Sequence, residues 1–160
     1  MVEKYLKKDL AFLIVSIRVT SMAVNTQFSI AVHIMAGLGY KCGTDITSGH
    51  LAESVNTTPS FVRRVLAKLS KANLLETAKG KAGSCWLVRK PKDISLLEIY
   101  HAVGAPKVFA IHQYAPQKPC QISCNIKAAL ECVLNESQKA MEQKLGKITL
   151  ADVITELKKC

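Results

Sequence analysis

The chain has 160 residues, with 22 Lys and Arg against 12 Asp and Glu for a formal net charge of +10, and just under half of it is hydrophobic. That length suits one domain with or without an added arm, and that hydrophobic content supports a packed core without metal or disulfide staples and excludes global disorder. The charge is concentrated: residues 61–92 hold nine bases and one acid, while the flanking segments each carry between −1 and +2, which points to a polyanionic partner, nucleic acid before membrane.

Residues 1–21 read as an N-terminal extension. The apolar run from Leu10 to Ile17 is interrupted at once by Arg18 and lacks a clean small-x-small cleavage site, which argues against a secretory signal. It is also far too short to span a bilayer, so no membrane partner is expected. Met22 is an alternative initiator. A domain is then expected over residues 22–104. Phe28, Ala31, Val32, Met35 and Leu38 recur at helical spacing and predict a first helix from Asn25 to Leu38. A Gly- and Thr-rich loop follows to Thr47, and Ser48 is expected to cap a short helix over Gly49–Val55.

A turn at Asn56-Thr57 leads to Thr58 as an N-cap and Pro59 at the first helical position. The predicted helix runs to about Ala72 and buries Phe61, Val62, Val65, Leu66 and Leu69, leaving Ser60, Arg63, Arg64, Lys68 and Lys71 on the other face. Two short helices across a tight turn, the second basic on one side, form the helix-turn-helix pattern. Leu75–Ala78 and Ser84–Arg89 predict a β-hairpin whose tip, Lys79–Gly83, carries Lys79 and Lys81. A hairpin in that position is a wing. The candidate DNA contacts are therefore Thr58, Ser60, Arg63, Arg64, Lys68, Lys79 and Lys81, with double-stranded DNA as the partner. Trp86 in the second strand is expected to pack against the recognition helix.

Ser95 and Glu98 form a capping box for a helix ending near Val103-Gly104. Residues 105–124, with Pro106, Pro116 and Pro119, predict an irregular connection. Residues 125–160 then hold a long helix over Asn125–Leu145 and a short one, capped by Thr149, through Leu157. Ile126, Leu130 and Val133 fall at three- and four-residue spacing, the stripe of a homodimer interface; packing on its own subunit is the alternative. The fold class expected is mainly α with a small β-hairpin: a winged helix-turn-helix domain plus a long C-terminal dimerisation helix.

Six cysteines form no CxxC pair, so neither a zinc ribbon nor a thioredoxin-like site is indicated. A reduced, cytoplasmic setting follows from that usage. Cys120 and Cys124, in the proline-bounded connection before the long helix, are redox candidates. His33 and His101 sit among apolar residues and are expected as packed, hydrogen-bonded side chains. His112 with Cys120 and Cys124 is the nearest thing to a metal grouping, at irregular spacing, and no metal site is assigned. There is no G-x-S-x-G, no H-E-x-x-H and no phosphate-cradling glycine loop, so the chain is not read as an enzyme.

The strings NTQFSIAVHIMAGL, LAESVNTTPSFVRRVLAKLSKANLL, GKAGSCWLVRKPKDISLLEIYHAV and ITLADVI resemble the Rrf-two (BadM-type) family of bacterial winged-helix regulators. They cover most of residues 25–103 and the C-terminal helix. The Asn-x-x-Pro turn at Asn56–Pro59 is similar to its YwnA-like branch, and Cys120 matches the single cysteine of that branch. The resemblance implies a homodimeric regulator, a repressor in the first instance, that presents two recognition helices to operator DNA and takes its signal from thiol chemistry or a small effector. Some members bind an iron–sulfur cluster through three cysteines at roughly five-residue gaps. Here Cys120, Cys124 and Cys132 are spaced differently, and no cofactor is expected. An iron–sulfur or metal sensor on the same scaffold, or a winged-helix protein–protein adaptor, are the alternatives; the concentrated positive charge argues against the adaptor.

Overall fold

The computed structural model describes residues 26–40, 46–78 and 83–159. The extension 1–21 and the wing-tip residues Lys79 and Lys81 lie outside the described residues. Helix α1, Gln27–Tyr40, buries Ala31, Ile34, Met35 and Leu38, the stripe that three- and four-residue spacing creates on one face. It begins two residues later and ends two residues later than its pattern indicates. At Gly39 an added Cβ would lie 2.6 Å from Ile154 Cδ1 and 3.1 Å from the Pro91 ring, so α1 and the C-terminal helix meet where no side chain intervenes.

Strand β1 is only Ile46–Thr47, and helix α2, Ser48–Val55, is capped by Thr47, whose hydroxyl accepts from the His50 amide. The cap is thus one residue earlier than Ser48, which is itself helical. Helix α3 spans Pro59–Lys71 and buries Val62, Val65, Leu66 and Leu69, each such burial contributing about 1.5–3 kcal/mol. Phe61, expected inside, is half-buried at the edge. Strands β2, Leu75–Thr77, and β3, Ser84–Leu87, pair antiparallel with Leu75 opposite Leu87 and Thr77 opposite Cys85. On its other side β3 pairs with β1, Ile46 opposite Cys85. The expected hairpin is therefore two strands of a three-stranded sheet in the order β1-β3-β2.

A single turn of 3-10 helix at Pro91–Asp93 leads to α4, Leu96–Ala102, which has the capping box expected at Ser95 and Glu98. The chain is irregular until α5, Gln121–Gly146, followed by α6, Leu150–Leu157, with a second capping box between Thr149 and Asp152. The two capped starts lie side by side: Leu96 N–H donates to Ile148 O and Leu150 N–H to Ile94 O, both at 2.9 Å. One core joins α1, α2, α3, the sheet, α4 and α6. By contrast α5, about 39 Å long at 1.5 Å per residue, has no buried residue; only its C-terminal end, at Leu145, packs on the core. The architecture is mainly helical with a small antiparallel sheet, as the patterning indicates.

Candidate nucleic-acid interface

The turn between α2 and α3 is set by Asn56, whose left-handed backbone (φ 57°, ψ 52°) ends α2, a conformation asparagine tolerates better than most residues. Thr57 N–H returns to Ala52 O at 2.9 Å. Thr58 is extended and its hydroxyl accepts from the Phe61 amide at 3.3 Å, with Pro59 opening the helix. Local chemistry thus fixes where α3 starts and which face it turns inward.

Its outward face carries Ser60, Arg63, Arg64 and Lys71, all exposed. The helix holds no acid, and neither arginine makes an ion pair among the described residues. The Arg64 guanidinium lies 5.3 Å from the centre of the Phe61 ring, a cation–π contact that holds it near the helix N-terminal end without neutralising it. Lys68 is different. Its ammonium donates to Gln27 Oε1 at 2.7 Å and to Val103 O at 3.1 Å, so it ties α3 to α1 and to the end of α4. Of the seven expected contacts, Thr58, Ser60, Arg63 and Arg64 lie together; Lys68 is exposed but engaged with Gln27 and Val103, and Lys79 and Lys81 lie outside the described residues.

Trp86 does not pack under α3: it is 46% exposed, because alternation along β3 gives the inward position to Cys85. The Cys85 thiol is pushed up from its ordinary pKa by burial and donates to Ile46 O. His33 and His101 are both exposed, contrary to expectation. His33 Nε2 and Ser54 Oγ share a hydrogen bond of 2.9 Å, and the His101 ring leans on Tyr100 at 5.8 Å.

At the far end, α5 starts at Gln121, four residues before the expected Asn125, with Cys120 as the residue before it and its sulfur accepting from the Ser123 amide at 3.5 Å. Cys124 therefore lies in the first turn of the helix and not in the connection. Cys120, Cys124 and Cys132 are all exposed. Ile126 is half-buried, Leu130 is 36% and Val133 58% exposed; Ile122, which sequence spacing missed because the helix was started too late, is 74% exposed. These four fall on one face, at steps of four, four and three residues.

Comparison with known proteins bears on this arrangement. Residues 24–156 match the model of the Rrf2 family, described as iron-dependent transcriptional regulator. The chain is 36% identical over 137 residues to YwnA of Bacillus subtilis (strain 168), a protein named provisionally as an HTH-type transcriptional regulator, covering 84% of this chain and 98% of that one. Among solved structures it is similar in fold to T. potens IscR, with a TM-score of 0.63, 24% identity and coverage of 86% and 89% of the two chains. CymR, the global cysteine regulator of B. subtilis, superposes with a TM-score of 0.61 at 18% identity, covering 84% of this chain and 98% of that one.

Proposed function

The chain belongs to the Rrf2 family of transcriptional regulators, and we propose that it binds operator DNA as a homodimer, with α3 as the recognition helix and α5 as the dimer contact. The observation that carries this reading is the outward face of α3, where Ser60, Arg63 and Arg64 stand exposed without a carboxylate partner. Guanidinium groups so placed can clamp phosphate or read guanine edges bidentately. The free amides at the start of α3, beside Thr58 and Ser60, suit a phosphate oxygen. An apolar stripe on a helix that fully buries no residue in its own subunit supports pairing with a second copy, which would set two recognition helices one duplex turn apart, about 34–36 Å. No helix among the described residues is long and apolar enough to cross a membrane; the cytoplasmic site of action proposed follows from operator DNA as the partner.

The family description names iron, yet the donors among the described residues do not suit a cluster. Cys124 and Cys132 share α5, eight residues and thus about 12 Å of axial rise apart, while Cys85 is buried in the sheet hydrogen-bonded to Ile46. We assign the signal to thiols or a small effector in preference to a metal. Cys120 and Cys124 lie one helical turn apart at the start of the dimer helix, within the reach of a disulfide if the first turn yields slightly. Oxidation by peroxide or diamide would remove two protons and two electrons from the pair and loosen the helix start.

The experiment is selection of bound fragments from genomic DNA, followed by affinity measurement for the wild type, Arg63→Ala, Arg64→Ala and Cys120→Ser, with and without diamide. Each arginine substitution is expected to weaken binding by about tenfold or more, and diamide to weaken the wild type but not Cys120→Ser. Failure to enrich any fragment would overturn the reading; equal affinity with and without diamide would remove the thiol signal and leave the small effector.

A further inference from the structure

A cavity of about 850 Å³ opens between α1, α2 and α6, within the size range of sites that take drug-sized molecules. Its walls are apolar, formed by Val32, Ala36, Leu51, Val153 and Leu157, and no residue of α3 lines it. The chain as a whole carries 22 bases and 12 acids, yet the described lining holds no lysine or arginine and one carboxylate, Glu53. A cation would meet the Glu53 carboxylate and the Ser54 hydroxyl there; His33 and His50 are the other titratable side chains on the described lining. The exposed face of Tyr40, also on the lining, already draws the Lys158 ammonium to 5.6 Å from its ring centre, so its π-electrons face a position that a cation occupies. The exposed Lys158 side chain can swing out to water when another cation takes its place.

We propose that this cavity binds a small organic cation with an apolar or aromatic body, and that its occupancy alters DNA binding. The second half rests on the function proposed above; the first does not. Coupling runs through α2. Leu51 lines the cavity and also belongs to the core that holds Val62 and Val65 of α3, and a short turn joins α2 to α3. The hydrogen bond between His33 and Ser54 bridges α1 and α2 at the cavity edge. A ligand wedged there pushes the two helices apart and moves α3 with α2.

The test uses the full chain and two probes of equal shape and opposite charge, tetraphenylphosphonium and tetraphenylborate, followed by titration calorimetry. Saturable binding of one tetraphenylphosphonium per chain is expected, with tetraphenylborate weaker at this site. Glu53→Gln should weaken the phosphonium about threefold, the loss of one Coulombic partner at a solvent-screened position, and Ser54→Trp should fill the space and abolish binding. Both positions are exposed and off α3; Glu53→Gln should melt and bind DNA as the wild type does, whereas Ser54→Trp also loses the hydrogen bond to His33 and is read by phosphonium binding alone. Absence of saturable binding, or equal binding to Glu53→Gln, would overturn the site. Binding that appears only after removal of residues 1–21 would also overturn it, assigning the cavity to that segment. Cation binding as expected with no DNA fragment enriched would sink the proposed function and leave the site standing. DNA affinity unchanged by saturating phosphonium would overturn the regulatory half.

Discussion

Glu98 closes two contacts at once. Its carboxylate accepts from the Ser95 amide at 2.9 Å and from the Ser95 hydroxyl at 3.0 Å, while Arg89 donates to its other oxygen at 2.5 Å. Burial alone would raise its pKa, but the hydrogen bonds from Ser95 and Arg89 outweigh that and hold it below the ordinary value. A carboxylate lowered on folding stabilises the protein at pH above its unfolded pKa, and that stabilisation is lost as pH falls through the lowered folded value. Asp152 is lowered in the same direction, chiefly by the Thr149 amide. Both groups are solvent-screened, so the effect is modest. Melting temperature measured across pH should therefore fall more steeply for the wild type than for Glu98→Gln below about pH 4.5. Parallel curves would show that Glu98 caps α4 without coupling to protons.

Between elements, the crossing of α1 and α6 depends on one missing side chain. In an exposed helix Gly→Ala stabilises by up to about 1 kcal/mol, but at Gly39 the new methyl would collide with Ile154 and press on Pro91. Overpacking of that kind costs about 1–3 kcal/mol, so Gly39→Ala should lower the melting temperature where helix propensity alone would raise it. Helix α5 poses the opposite case, an apolar stripe left largely exposed. Ile122, Ile126, Leu130 and Val133 share one face, and if a second copy covers them, Leu130→Glu with Val133→Glu places two buried carboxylates in the interface. Sedimentation should then give the monomer mass with the melting of the domain little changed, since α5 buries no residue in its own subunit. A double variant that stays dimeric would move the interface elsewhere.

For the whole molecule, the charge between residues 61 and 92 has to act through a small number of groups. A dimer making about six phosphate contacts should lose roughly a thousandfold in affinity between about 50 and 200 mM salt. A flat salt response would separate the family fold from duplex binding in this chain.

What could be read from the chain by itself was whatever short-range chemistry decides. The Thr58-Pro59 start of α3, the buried set Val62, Val65, Leu66 and Leu69, the Ser95–Glu98 capping box and the Thr149 cap depend on residues within a few positions of one another, so spacing and side-chain type were sufficient. The start of α5 was misread because a cysteine is not an ordinary cap, although its sulfur takes the Ser123 amide. A two-residue strand such as β1 has no period to detect and exists only because β3 offers it an edge. Alternation along β3 says that Cys85 and Trp86 face opposite ways; which face another element covers was settled only by tertiary packing, and it left Trp86 outside. The same holds for Lys68. Its place on the polar side of α3 was legible, but whether its ammonium met a phosphate or Gln27, 41 positions away, depended on how α1 lies across α3, and no local pattern carries that information.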